Sequence, residues 1–228
     1  MKKSILMFLA AAMIIVSQFN AHAGMIFSDD FSTNKLWGNQ SGQWTANSGV
    51  YYAKTPSNNP PTYSSAPTST LTNFTVEFDV NNASDGGIWL RSSYADSKGT
   101  GLLMVIGGYG GNYDGFYFHK MVDGVGSNAF GHVYVSGFQG SNEHFKIEVI
   151  KNTYSIYLKG NTTPITTITD STFTSGLVAF YGFSPRMTST FDNVAISVPA
   201  APVPIPSAFY LFAPGLLGLI GFKRKYLR

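Results

Sequence analysis

In Phe74-Thr75-Val76-Glu77-Phe78-Asp79-Val80-Asn81, apolar and polar side chains alternate without interruption. A period of two puts Phe74, Val76, Phe78 and Val80 on one face and Thr75, Glu77, Asp79 and Asn81 on the other. That is the pattern of a strand with one face in a core and one in water. It recurs on either side. Ile88 and Leu90 alternate with Trp89 and Arg91, so Trp89 and Arg91 are expected to leave their strand together. Phe145, Ile147 and Val149 lead through Lys151-Asn152-Thr153 into Tyr154, Ile156 and Leu158, which predicts a hairpin. Leu177 to Tyr181 and Phe191 to Ile196 supply two later strands. Breaks at Asp85-Gly86-Gly87, Gly107 to Gly111 and Asp123-Gly124 mark turns, and no stretch carries a helical stripe of useful length. About a dozen short strands at this spacing predict an all-β fold, a two-sheet antiparallel sandwich.

The two ends of the chain read differently. Lys2 and Lys3 precede an apolar run from Ile5 to Val16, and Ala21-His22-Ala23 offers small residues where a signal peptidase cuts. Residues 1–23 are therefore expected to be a signal peptide, removed after Ala23. Residues 24–198 are the β domain. Residues 199–207 form a proline-rich linker that can neither continue a sheet nor start a helix early. Residues 208–228 are expected to be a hydrophobic helix ending in Lys223-Arg224-Lys225 and Arg228, a basic cluster held on the cytoplasmic side of a membrane. A helix beginning near Ser207 would reach about 24 Å, short of the ~30 Å hydrocarbon core. Pro214 and Gly215 weaken it further, so the anchor is expected to be transient.

Val203-Pro204-Ile205-Pro206-Ser207, then Leu211-Phe212, then Gly215 to Gly221 and the basic cluster, resemble the PEP-CTERM sorting signal in its Val-Pro-x-Pro-Ala variant. Ser207 stands where that variant has Ala. The resemblance implies that Val203, Pro204, Pro206 and Ser207 are the sorting motif. It also implies that an exosortase-like sorting protease is a partner, and that the host makes exopolysaccharide. The membrane is then a partner only until the tail is processed, and the domain ends at the cell surface or in the extracellular matrix.

The ends also carry the basic charge. Two lysines lie in the leader and four Lys/Arg in the tail, so of 15 basic and 12 acidic residues the domain keeps nine and twelve, a net charge of about −3. That removes the argument for a nucleic-acid partner. The chain has no Cys, which excludes a disulfide scaffold and thiolate metal sites.

Within the domain, Phe27-Ser28-Asp29-Asp30-Phe31, the Gly42-x-Trp44 turn, Gly87 to Arg91, the Phe145 to Val149 strand and Phe191-Asp192-Asn193-Val194 resemble concanavalin A-like jelly rolls. Laminin G-like domains and the 3-keto-disaccharide hydrolase domain share that layout. In related sandwiches a structural calcium ties the first strand to the last through an Asp of the final strand. Asp192 matches that Asp, with Asp29 or Asp30 opposite, and hard cations take such oxygen ligands.

A glycan site needs aromatic faces beside planar polar groups at an open groove. Trp89, Arg91, Tyr117 and His119 are the candidates, with Tyr109 and Tyr113 nearby. Glycoside hydrolysis needs two carboxylates. Glu77 and Asp79 share a face, but Asn81 and Asn82 stand where the resembling hydrolase family 16 has its second Glu, so no catalytic residue is assigned. His119, His132 and His144 lack zinc spacing. The sequence thus points to a non-enzymatic, exported jelly roll that associates with a polysaccharide or matrix component. A carbohydrate-active hydrolase of the same fold is the alternative, and a purely structural adhesion domain a third reading.

Overall fold

The structure, a computed structural model, describes residues 24–33, 36–108, 114–183 and 188–199. The expected signal peptide, the linker after Pro199, the sorting motif and the hydrophobic helix lie outside the described residues, as do Tyr109 and Tyr113. Residues Gly24–Val198 form one compact unit.

Fifteen strands follow one another among the described residues, with no helix. They begin with β1 (Gly24–Asp29), β2 (Trp44–Asn47), β3 (Val50–Ala53), β4 (Ser64–Ser65) and β5 (Phe74–Asn81). Next come β6 (Gly86–Ala95), β7 (Lys98–Ile106), β8 (Gly115–Val122), β9 (Val125–Gly126) and β10 (Phe130–Tyr134). The last are β11 (Glu143–Ile150), β12 (Thr153–Leu158), β13 (Thr166–Thr169), β14 (Leu177–Gly182) and β15 (Thr190–Val198). They form two antiparallel sheets. The larger runs β13-β12-β11-β5-β15-β3-β2, with β1 paired to β15; the smaller runs β10-β8-β7-β6-β14-β4, with β9 paired to β8.

The alternation of residues 74–81 is realised as expected. Phe74, Val76, Phe78 and Val80 are fully buried while their neighbours are half-exposed. They meet Ile88, Leu90, Met104, Phe116 and Phe180 of the other sheet in one core. At one end of that core the rings of Phe180 and Phe191 stack 4.0 Å apart, and Phe31 stacks on Tyr51 at 4.8 Å. Each such ring contributes roughly 2–3 kcal/mol by leaving water. The 145–158 hairpin forms as β11 and β12, turning through Lys151-Asn152 with Lys151 at φ 52°. Asp123-Gly124 joins β8 to β9 with both residues at positive φ, the geometry of a tight two-residue turn.

The expected partnership of Trp89 and Arg91 does not occur. Between Leu90 and Ser93 the β6–β7 register slips, so Arg91 and Ser92 together oppose Gly101. Arg91 sits at φ 48° and Gly101 at φ 148°, where a Cβ would lie 2.6 Å from that of Ser92. The bulge turns Arg91 away from the outer face and against Tyr154, a core residue, while Ser92 reaches outward to Tyr63.

Candidate functional site

On the smaller sheet, the side chains that point away from the core form rows across neighbouring strands. One row is His119, Leu103, Trp89 and Ala179; the next is Tyr117, Val105, Gly87 and Tyr181. The second row lacks a side chain at Gly87, where a Cβ would sit 2.1 Å from the Met104 carbonyl oxygen. A second apolar cluster forms on this face, comprising Tyr63, Trp89, Leu103, Val105, Ala179 and Tyr181.

The segment from Asn58 to Tyr63 lies over part of this face. Trp89 donates its indole N–H to the Thr62 carbonyl at 3.3 Å, Tyr63 and Ser92 share a hydroxyl bond of 2.8 Å, and Tyr181 donates to Asn58 Oδ1. Trp89 is consequently 0% exposed, beneath Tyr63 and against Gly99 and Tyr181. It leaves β6 on the outer face, as the alternation required, but its ring is sealed from ligand. Arg91, 2% exposed, spends its guanidinium on the carbonyls of Thr72, Phe173 and Lys151. It braces three loops and does not reach Trp89's face.

Beyond the covered part, a hollow of about 390 Å³ opens, lined among others by Asp85, Tyr117, His119, Tyr181, Asn58 and Phe183. Tyr117 and His119, both expected in a binding site, are therefore brought together on β8. The imidazole of His132 stacks on Tyr117 at 5.3 Å, and that of His119 meets its edge at 5.4 Å. His119 Nδ1 lies 2.8 Å from the Ser127 carbonyl, which can only accept, so Nδ1 carries the hydrogen.

Asp85 is the residue that sequence reasoning missed, absorbed there into an Asp-Gly-Gly turn. It is 4% exposed, and no hydrogen-bond donor reaches its carboxylate among the described residues. Burial pushes its pKa up to about 6. The Tyr181 phenol is pushed well up by burial and then by the charges of Asp85 and Tyr117, against the opposing bond to Asn58. Asn58 and Tyr181 are 123 positions apart, so nothing local in the sequence announces their meeting.

The expected calcium set meets a different fate. Asp29 and Asp30 line a second hollow, about 320 Å³, with Ser28, Asn193, Val194 and Ala195, where β1 pairs with β15. Asp29, 3% exposed, accepts from the Phe31 N–H at 3.0 Å and from the Trp37 indole at 2.8 Å, one bond on each oxygen. Asp30 accepts from the Ser32 N–H and hydroxyl, and Asp192 from the Asn193 N–H at 2.6 Å. Burial raises the Asp192 pKa, the Asn193 bond opposes this, and the charges of Asp79, Asp30 and Asp29 raise it further. These carboxylates feel one another but are turned to backbone and indole donors. Among the described residues no three acidic or histidine side chains converge as a metal site.

On the larger sheet's outer face, Glu77 and Asp79 do share a side, as alternation requires. His144 Nδ1 lies 2.6 Å from Asp79 and Nε2 lies 3.7 Å from Glu77. Asn193 donates to the other Asp79 oxygen at 2.7 Å.

No family model matches the sequence, and no curated protein matches it. Solved structures do. The carbohydrate-binding module CBM66 from Bacillus subtilis is 19% identical, with a TM-score of 0.58 over 72% of this chain and 97% of that one. The kappa-carrageenase zobellia_236 from Zobellia galactanivorans is 12% identical, with a TM-score of 0.53 over 81% and 98%. The exoplasmic domain of VIP36, in a form bound to Ca2+ and Man3GlcNAc, is 10% identical, with a TM-score of 0.51 over 82% and 94%. The fold is thus a galectin-like, concanavalin A-like jelly roll, shared by carbohydrate-binding modules, lectin-like domains and glycoside hydrolases.

Proposed function

We propose that this protein is an exported surface or matrix protein whose jelly roll binds a glycan at the hollow of the smaller sheet. The observation that carries the reading is the nearly buried Asp85 carboxylate, which no donor reaches among the described residues, set beside Tyr117, His119 and Tyr181. Carboxylate oxygens accept hydrogen bonds from sugar hydroxyls, and tyrosine rings offer apolar contact to sugar C–H groups. A fold shared with carbohydrate-binding proteins supports the same reading.

Binding fits the site better than hydrolysis. The paired-carboxylate mechanism needs an acid and a base or nucleophile flanking one bond. Among the described residues the hollow is lined by a single carboxylate, Asp85. Glu77 and Asp79 belong to the other sheet and are tied to His144 and Asn193.

The leader and the tail complete the proposal. Residues 1–23 direct export, and an exosortase-like protease recognises Val203-Pro204-Ile205-Pro206-Ser207 and releases the domain from a transient membrane anchor. Intact-mass analysis of the protein recovered from the culture medium should show both ends removed; a retained tail overturns the processing step.

Glycan binding is tested with residues Gly24–Val198 on gels carrying immobilised polysaccharides. Tyr117→Ala should lower retention roughly tenfold at an unchanged melting temperature, the effect of losing one contact of about 1.4 kcal/mol. Equal retention of wild type and variant would sink the assignment of this hollow. Release of reducing ends from a retained polysaccharide would instead favour the hydrolase.

A further inference from the structure

Resting on that glycan reading, we infer that the hollow selects saccharides bearing a free amino group, with a hexosamine ammonium seated on the Asp85 carboxylate. The hollow is lined by no Lys or Arg, and Asp85 supplies its one carboxylate among the described residues. That carboxylate is 4% exposed, yet no hydrogen-bond donor reaches it among the described residues. A buried acceptor with this unmet demand gains most from a charged donor, because N–H donors on a cation make shorter and about twice stronger bonds than neutral ones. Tyrosine rings nearby add attraction for a cation through their electron-rich faces.

The same features disfavour other glycans. A uronate, sulfate or phosphate group would bring negative charge against Asp85, with no Lys or Arg among the described residues of the lining to meet it. A neutral hexose would offer only hydroxyl donors, and an N-acetylated hexosamine would offer an amide without charge. The domain's net charge of about −3 works in the same direction at longer range.

The groups around Asp85 also fix the pH response. Tyr181 faces it from β14 and Tyr117 and His119 from β8, while Asn58 and Pro61 on the covering segment, and Leu103 and Val105 on β7, do not titrate. Burial holds Asp85's pKa at about 6, so it is mostly ionised at about pH 6.8 and largely neutral at pH 5. That loss of charge on Asp85 weakens the ammonium's hold as pH falls toward 5.

The test uses residues Gly24–Val198 and four oligosaccharide probes: β-1,4-linked glucosamine oligomers, the same oligomers fully N-acetylated, cello-oligosaccharides and oligogalacturonate. Calorimetric titration at about pH 6.8, where Asp85 is mostly ionised and the amino groups still carry charge, should show at least about tenfold tighter binding of the glucosamine oligomer than of its N-acetylated form. Asp85→Asn should reduce that preference below twofold. Asp123→Asn, the same charge removed at an exposed turn, should leave it intact, which separates the site from general attraction between polycation and acidic protein. If Asp85→Asn fails to fold, wild type at pH 5 serves instead and should lose most of the preference. Equal binding of the amino and neutral oligomers, or a preference that survives Asp85→Asn, overturns this inference alone. Retention of none of the four probes removes this inference, and polysaccharide gels that also retain nothing remove the glycan reading beneath it.

Discussion

The two outer faces of the sandwich manage charge in opposite ways. On the water-facing side of the larger sheet, Glu77, Asp79 and Glu148 each have a partner close at hand. Lys146 lies 2.8 Å from Glu148 and above the Tyr157 ring at 4.5 Å, Tyr157 donates to Glu148 at 2.8 Å, and His144 bridges Glu77 and Asp79. That face is open to water, so its pairs are cheap to hold and worth little. The smaller sheet is the reverse. Its outer face is apolar and partly roofed by the segment from Asn58 to Tyr63, and the one carboxylate at its hollow has no donor among the described residues. A fold can satisfy a polar group with its own residues or leave that to a ligand, and here the two faces show the two choices.

Substitutions can break or sharpen this contrast. Trp89→Ala should cost the most, about 3–5 kcal/mol, since it empties the middle of the roofed face. Chemical denaturation measures it, and a cost under 1 kcal/mol would mean that the roof is not packed. Asp85→Asn should act in the opposite direction. A folded pKa of about 6 against an ordinary value of 3.8 means that the folded state holds the proton more tightly. The burial penalty is absent below pH ~4, grows between about 4 and 6, and then stays constant at up to about 3 kcal/mol. The asparagine variant should therefore be more stable than wild type at pH 8 and equal to it near pH 3.5; identical melting curves at pH 8 would show that Asp85 is solvated.

Glu148→Gln should matter least. Burial alone would raise the Glu148 pKa, but bonds from Lys146 and Tyr157 outweigh it and hold the carboxyl below its ordinary value. The small stability this supplies is present above the unfolded pKa and lost as pH falls through the folded one. With the pair so exposed, the loss should be under about 1 kcal/mol and should fade in high salt. A larger effect would erase the distinction between the two faces.

The contrast also explains what the sequence made legible. Alternation shows clearly where one face meets water, so β5, β11 and β12 can be read directly from Phe74 to Val80 and from Phe145 to Leu158. Leu102-Leu103-Met104-Val105-Ile106 in β7 is buried on both faces and shows no alternation, so that strand is not marked. Arg91 was misplaced because the bulge opposite Gly101 breaks the period of two, and a bulge has no signature in alternation itself. Tyr117 and His119 share a strand face, which local spacing can give. Asp85, Asn58 and Tyr181 come from three distant segments, and only the closed sandwich brings them to one hollow. For the expected calcium set, the sequence shows which acids lie near the paired first and last strands but not their hydrogen bonds: Asp29 accepts from the Phe31 N–H and the Trp37 indole, and Asp192 from the Asn193 N–H.

The pairing of Gly24 with Val198 has a mechanical meaning. A pull applied to the domain through Val198 loads β15, which is no edge strand: β5 holds it on one side, and β1 and β3 on the other. Such a load cannot peel one ladder at a time from the rim of the sheet. It must shear bonds on both sides of β15 and draw Phe191, Val194 and Ile196 out of the core together, so the last strand of the domain is also among the hardest to extract.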